Sequence, residues 1–276
     1  MSTPTPAQQG LAHHVLDGPT SGPPLILGPS LGTSLAVWEP QLAELARTHR
    51  VLRWDLPGHG GSAAAVLGPA ADPPGETTVA DLARLVLRLA DQQGWRRFRY
   101  AGISLGGAVG AHLALHHPER VEALAMVCSS ARFGPAQGWR DRARLVREQG
   151  TGPLLEGTAG RWFADPATAA TDPGSGLLAD LAAADPAGYA ACCDALADYD
   201  LRSQLGGITA PTLVIAGRED PATPPAHARE LVDAIPGASL LELAGAAHLA
   251  GVERPAAVSG ALQAHLTSLP AAPRRN

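Results

Sequence analysis

Lysine is absent from this 276-residue chain, and all 21 basic residues are arginine. Without a lysine the protein cannot form a Schiff base through an ε-amine, nor build a Walker-type phosphate loop. Cysteine is nearly as scarce, with only Cys128, Cys192 and Cys193, an odd set with two adjacent members. No C-x-x-C pair or Cys/His cluster has tetrahedral zinc spacing, so reduced, packed thiols and no metal are expected. Long apolar runs are missing too: none reaches about 18 residues, which excludes an obvious membrane-spanning helix. The first residues lack a basic start followed by an apolar segment, and a cytoplasmic location is the matching expectation. Excess positive charge is also lacking. A formal net charge of −5 and a pI near 6.0 argue against nucleic acid or an anionic membrane as the main partner.

What the chain does have is alternation. Short apolar runs at Pro24 to Gly28, Arg50 to Asp55, Arg97 to Gly102, Val121 to Cys128, Pro211 to Gly217 and Ser239 to Ala244 read as strands. A further edge strand is expected around Leu11 to Asp17. Between them fall amphipathic stretches, Ala36 to Arg47, Thr78 to Gln93, Leu105 to His117, Pro225 to Ile235 and Pro255 to Thr267, which read as helices. In the second, Val79, Leu82, Leu85, Val86 and Leu89 recur at helical spacing and define one buried face. Such alternation predicts a mostly parallel sheet flanked by helices. Two segments interrupt it. Ala63 to Thr77, rich in Ala, Pro and Gly, reads as a surface loop. Ala131 to Leu205 holds four or so helical stretches before the next strand, as an inserted block over a pocket would. No internal repeat is evident.

The chemistry concentrates in Gly102-Ile-Ser104-Leu-Gly106, which lies between a predicted strand and a predicted helix. A serine on so sharp a turn needs glycine on either side, because a side chain there would collide with the neighbouring strand and helix. The turn leaves the hydroxyl exposed at a helix N-terminus, where partial positive charge favours a developing anion. A serine hydroxyl is a poor nucleophile until a base takes its proton, and the base must be held in one tautomer by a carboxylate. Where such an elbow occurs, the acid and then the histidine follow on loops after later strands. Asp220 and His248 stand at those places, after the runs ending at Gly217 and Ala244. Glu219, Asp198 and Asp200 compete for the acid role, and His265 competes for the base. Two backbone N–H groups are needed to hold an oxyanion. Leu105, the residue after the nucleophile, supplies one; Leu31, in the turn-rich loop Gly28-Pro-Ser-Leu-Gly-Thr33, is assigned the other.

On these residues the chain resembles the 3-oxoadipate enol-lactonases. The resemblance is carried by Ser30-Leu-Gly-Thr33 with Trp38, Asp55-Leu-Pro-Gly-His-Gly-Gly-Ser62, Gly102-Ile-Ser-Leu-Gly-Gly107, Arg161-Trp-Phe163, Tyr189-Ala-Ala-Cys-Cys193, Asp200-Leu-Arg202, Gly217-Arg-Glu-Asp220 and Ala247-His-Leu249. It runs from about Leu25 to Pro255, and the 63–77 loop is longer than that family's usual link. It implies an α/β-hydrolase fold, with residues 1–130 and 206–276 as core and 131–205 as a helical cap. It also implies a cofactor-free serine hydrolase that opens an enol-lactone to 3-oxoadipate in aromatic catabolism. The expected partner is a small carboxylated lactone or ester, with oligomeric state left open. With no lysine, an arginine should meet the substrate carboxylate: Arg132 is expected first, because it follows a strand and opens the cap, and Arg161 second. Trp139 and Trp162 complete the candidate substrate-binding set. A general esterase or lactonase, a carbon-carbon bond hydrolase and a cofactor-free perhydrolase share the same triad and remain alternatives. A hydrolase-like ligand receptor is the non-enzymatic one.

Overall fold

The computed structural model describes residues 11–71 and 77–267. Seven strands form one sheet, β1 (His14–Asp17), β2 (Pro24–Gly28), β3 (Arg50–Trp54), β4 (Phe98–Ile103), β5 (Val121–Val127), β6 (Thr212–Gly217) and β7 (Ser239–Leu243), in the order β1-β3-β2-β4-β5-β6-β7. Only β1 runs antiparallel, along the edge of β3, where each of its residues is half-buried. The central strands β4 and β6 are buried throughout, as strands covered by helices on both faces must be.

Helices α1 (Glu39–Leu45), α2 (Val79–Gln92), α3 (Leu105–His116), α9 (Pro225–Ala234), α10 (Ala250–Glu253) and α11 (Pro255–Thr267) flank the sheet. The apolar stripe of α2 is buried as its period required. Its start is set by a capping box, in which Thr78 accepts from the Asp81 amide and Asp81 accepts from the Thr78 amide at 2.8 Å. The single helix expected over 36–47 is instead a 3₁₀ turn, Leu35–Trp38, followed by α1. Ser34 caps the turn, and Pro40, which has no N–H to donate, sits in the first turn of α1. The surface loop expected at 63–77 is also more structured than expected. Residues 64–71 form 3₁₀ turns kinked at Gly68, and Val66 and Leu67 are buried; residues 72–76 lie outside the described chain.

Between β5 and β6 the chain contributes α4 (Ala136–Gln149), α5 (Gly152–Leu155), α6 (Thr158–Trp162), α7 (Gly174–Ala183) and α8 (Pro186–Ala197), with 3₁₀ turns at Pro166–Ala170 and Leu205–Gly207. Helices α4 and α8 pack on one another. The helical insertion is therefore present with five α-helices. All three cysteines are free and buried. Burial pushes each thiol upward, Cys193 to about 12, so they stay protonated packing groups. Among the described residues no helix is long and apolar enough to cross a membrane.

Candidate active site

Because β2, β4, β6 and β7 are mutually parallel, the loops at their C-terminal ends emerge on one side of the sheet. Ser104 follows β4 at φ 54°, ψ −116°, a conformation that a serine adopts only under constraint. The constraint is visible at the flanking glycines. A Cβ on Gly102 would lie 2.2 Å from the Gly106 backbone, and one on Gly106 would lie 2.4 Å from the Gly28 carbonyl oxygen. Strand, elbow, helix α3 and the loop after β2 are thus packed backbone to backbone, and no side chain larger than hydrogen fits.

Asp220, three residues beyond β6, and His248, five beyond β7, meet with Oδ2 2.9 Å from Nδ1. Asp220 is otherwise fully occupied. Its Oδ1 accepts the amides of Ala222 and Thr223 at 2.8 and 3.0 Å, and its Oδ2 accepts the Thr223 hydroxyl at 2.6 Å. Burial alone would raise this carboxyl, but the charge of His248 and the hydrogen bonds from His248 and Thr223 outweigh it and hold it below the ordinary carboxylate range. An ionised Asp220 fixes the proton of His248 on Nδ1 and leaves Nε2 as the free base.

Ser104 and His248 line one cavity of about 190 Å³ together with Leu31. No Ser104–His248 hydrogen bond is formed at this geometry; such bonds are often long before substrate arrives. The loop at 30–33 is a tight turn in which the Thr33 amide (3.2 Å) and hydroxyl (2.9 Å) both donate to the Ser30 carbonyl, with Gly32 at φ 88°. The Leu31 N–H shares a planar peptide with that carbonyl and therefore points the opposite way. Neither the Leu31 nor the Leu105 amide donates within the loop's own hydrogen bonds, which leaves both available as oxyanion donors.

The rival acids have other work. Glu219 accepts the Gly245 and Ala246 amides, Asp198 pairs with Arg140 on the surface, and Asp200 pairs with Arg202. His265 meets the Leu124 carbonyl from α11, away from the cavity.

Of the expected substrate-binding residues, Trp139, Arg161 and Trp162 line the cavity and Arg132 does not. This corrects the order of preference. Arg132 is exposed, its backbone is folded onto the Ser130 hydroxyl, and its charge acts on the neighbouring Asp200. The arginine that sequence reasoning missed is Arg142. It lies one helical turn beyond Trp139 on α4, with its guanidinium 5.0 Å from the Trp139 ring, and it lines the cavity beside Arg161. The i, i+3 spacing from a tryptophan already assigned to the pocket was the available signal. Neither Arg142 nor Arg161 has a carboxylate partner within salt-bridge distance among the described residues; Arg161 donates to the Thr158 hydroxyl at 2.8 Å. Burial, and then repulsion from Arg142, lowers the pKa of Arg161. Two unneutralised cations therefore face a small cavity that also holds a serine and a histidine.

Comparison with known proteins agrees with this architecture. A family model described as the alpha/beta hydrolase fold matches residues 23–156, and one described as TAP-like protein matches residues 189–275. The chain is 38% identical to 3-oxoadipate enol-lactonase 2 of Acinetobacter baylyi over 94% of each chain. It is 31% identical to the putative carbamate hydrolase RutD of Variovorax paradoxus over 91% of this chain and 94% of that one. The crystal structure of the enol-lactonase from Burkholderia xenovorans LB400 superposes with a TM-score of 0.85 at 36% identity, covering 92% of this chain and 96% of that one. The chain is therefore an α/β hydrolase and a carboxylic ester hydrolase, and it belongs to the family that contains the 3-oxoadipate enol-lactonases.

Proposed function

We propose that this protein hydrolyses the ring ester of 3-oxoadipate enol-lactone, with Ser104 as nucleophile, His248 as base and Asp220 as the carboxylate that orients it. The observation that carries the reading is the pair of cavity arginines beside Ser104, Arg142 and Arg161, which have no carboxylate partner within salt-bridge distance among the described residues. A neutral ester would leave two partly buried charges unanswered, whereas an anionic one supplies their partner. The enol-lactone carries an acetate group as well as the ester, and the sequence similarity to enol-lactonases supports it further.

In this reading Ser104 Oγ attacks the lactone carbonyl while His248 Nε2 takes its proton. The oxyanion forms against the Leu31 and Leu105 amides. Collapse breaks the ring C–O bond, the enolate oxygen leaves and is protonated by His248, and the acyl group stays on Ser104 with the former ring oxygen tethered to it. The enol becomes the ketone. His248 then activates a water that attacks the acyl ester, and release of Ser104 yields 3-oxoadipate. The described residues before 131 and after 205 act as the core, and 131–205 as the cap that contributes the arginines. No step calls for a cofactor.

The test compares purified wild-type protein on the enol-lactone, a simple aryl acetate and a small carbamate, because a putative carbamate hydrolase is among the relatives. A kcat/KM for the lactone exceeding both others by orders of magnitude is expected. Arg142→Ala and Arg161→Ala should each lose about 2–3 kcal/mol of transition-state stabilisation on the lactone and little on the aryl acetate. Equal losses on both substrates would mean that the arginines hold the cap together and do not read charge.

A further inference from the structure

The Gly58-His-Gly60 turn has no part in the reaction above, yet it carries an imidazole that is 1% exposed. His59 Nδ1 lies 2.9 Å from the Pro57 carbonyl oxygen, and Nε2 lies 3.1 Å from the Gly32 amide nitrogen. A carbonyl can only accept and an amide N–H can only donate. Both contacts are satisfied by a single form of the ring, neutral, with its proton on Nδ1 and its lone pair on Nε2. Burial favours that form by pushing the imidazole pKa down, against the opposing pull of Asp55, Asp180 and Asp185.

What His59 holds is the turn that presents Leu31. Thr33 fixes the peptide on the N-terminal side of Leu31 through the Ser30 carbonyl, and His59 fixes the peptide on its C-terminal side through the Gly32 N–H. With both flanking peptide planes pinned, the direction of the Leu31 N–H is determined. A face of the His59 ring stacks on Tyr189 of α8, with centroids 5.7 Å apart and planes at 25°. Tyr189 lines the cavity. Helix α8 is anchored on the same loop. The Asp185 amide donates to the Gly58 carbonyl at 2.7 Å, and a Cβ on Gly188 would come within 2.4 Å of the Pro57 carbonyl oxygen.

We propose that His59 is a positioning residue for the oxyanion hole, holding the Gly32 amide through Nε2 and tying the 30–33 turn to the cap through its stack on Tyr189. The proposal rests on reading Leu31 as an oxyanion donor. It predicts that loss of the Nε2 acceptor impairs turnover more than binding, because the oxyanion exists only along the reaction path.

The test uses the aryl acetate, so it stands whether or not the lactone is the substrate. His59→Leu should lower kcat about 10–100-fold, short of the ~10²–10³ lost when a donor is removed outright, with KM within about threefold. His59→Gln, whose Oε1 can accept the Gly32 N–H, should recover kcat to within about fivefold of wild type. Melting temperatures measured alongside separate this from a packing defect, which would track stability in both variants and would not be rescued by glutamine. Ser104→Ala serves as the control for the site itself. If Ser104→Ala is inactive while His59→Leu keeps wild-type kcat, the His59 proposal fails alone; if Ser104→Ala remains active, the nucleophile reading fails first. In wild-type protein labelled with ¹⁵N, a scalar coupling across the Gly32 N–H to His59 Nε2 hydrogen bond is expected. A protonated Nε2 would overturn the proposal even if neither variant folded.

Discussion

Replacing Gly106 by alanine sets two effects of opposite sign against each other. Gly106 is the second residue of α3, and helix propensity alone favours alanine by about 1 kcal/mol. The new Cβ would lie 2.4 Å from the Gly28 oxygen, 2.5 Å from the Gly28 carbonyl carbon and 2.7 Å from the Pro29 oxygen. All three are backbone atoms, so restoring ordinary contact requires the 28–29 segment to retreat by about 1 Å. Overpacking of this kind costs about 1–3 kcal/mol, and against rigid backbone the upper half of that range applies. The net destabilisation is about 1–2 kcal/mol, or a fall of about 2–8 °C in melting temperature for a chain of this size. The displaced segment leads directly into the turn that carries Leu31. A misplacement of about 1 Å there should reduce kcat by up to about 100-fold. The control is Gly260→Ala on α11, where the position is exposed and a Cβ meets nothing within 4 Å. That variant should gain about 0.5–1 kcal/mol with kcat unchanged. Thermal unfolding and aryl acetate kinetics on the two variants decide the matter. A Gly106→Ala protein as stable and as active as wild type would refute the idea that backbone contact fixes the elbow.

Ser104→Ala should fold normally and lose at least about 10⁴-fold in kcat, and retention of a tenth of the activity would remove Ser104 from its role. Asp220→Asn should lose activity comparably, because an amide does not favour the required tautomer of His248; unchanged turnover would move the acid role elsewhere. His112, pressed by burial and by His116 and His117 to a pKa of about 4, binds its proton more readily when unfolded. Its contribution to stability is therefore full above the unfolded value of about 6.5 and falls away as pH drops from there toward about 4. The melting temperature should fall as pH drops through that window, and His112→Gln should remove part of the fall. Arg132→Ala should leave kcat/KM on the lactone within about twofold, since the side chain is exposed outside the cavity; a loss matching that of Arg142→Ala would restore the first sequence assignment.

The strands, the elbow at Ser104, and the acid and histidine after β6 and β7 were legible in the sequence because each depends on local rules. Apolar period, glycine at sterically closed positions, and the order of loops along a parallel sheet are properties of short segments. Ser104, His248 and Leu31, which line one cavity, and Asp220, which is bonded to His248, were assigned that way. Where the reading missed, the missing information was non-local. Arg132 follows a strand directly, but whether its side chain enters the pocket depends on how the 129–135 segment turns, and it turns outward. Arg142 faces inward only because α4 packs on α8 in one rotational setting, which brings the Trp139 and Arg142 side of the helix toward Ser104. His59 shows the same limit. Its motif was visible, but its partners Gly32 and Tyr189 lie 27 and 130 residues away along the chain, and only folding brings the 30–33 turn to the edge of its ring and a cap helix to its face. Sequence determined which chemistry the chain carries, because that chemistry sits in short motifs. Tertiary structure decided which charges face the cavity, because a side chain's facing is set by packing between elements distant in sequence.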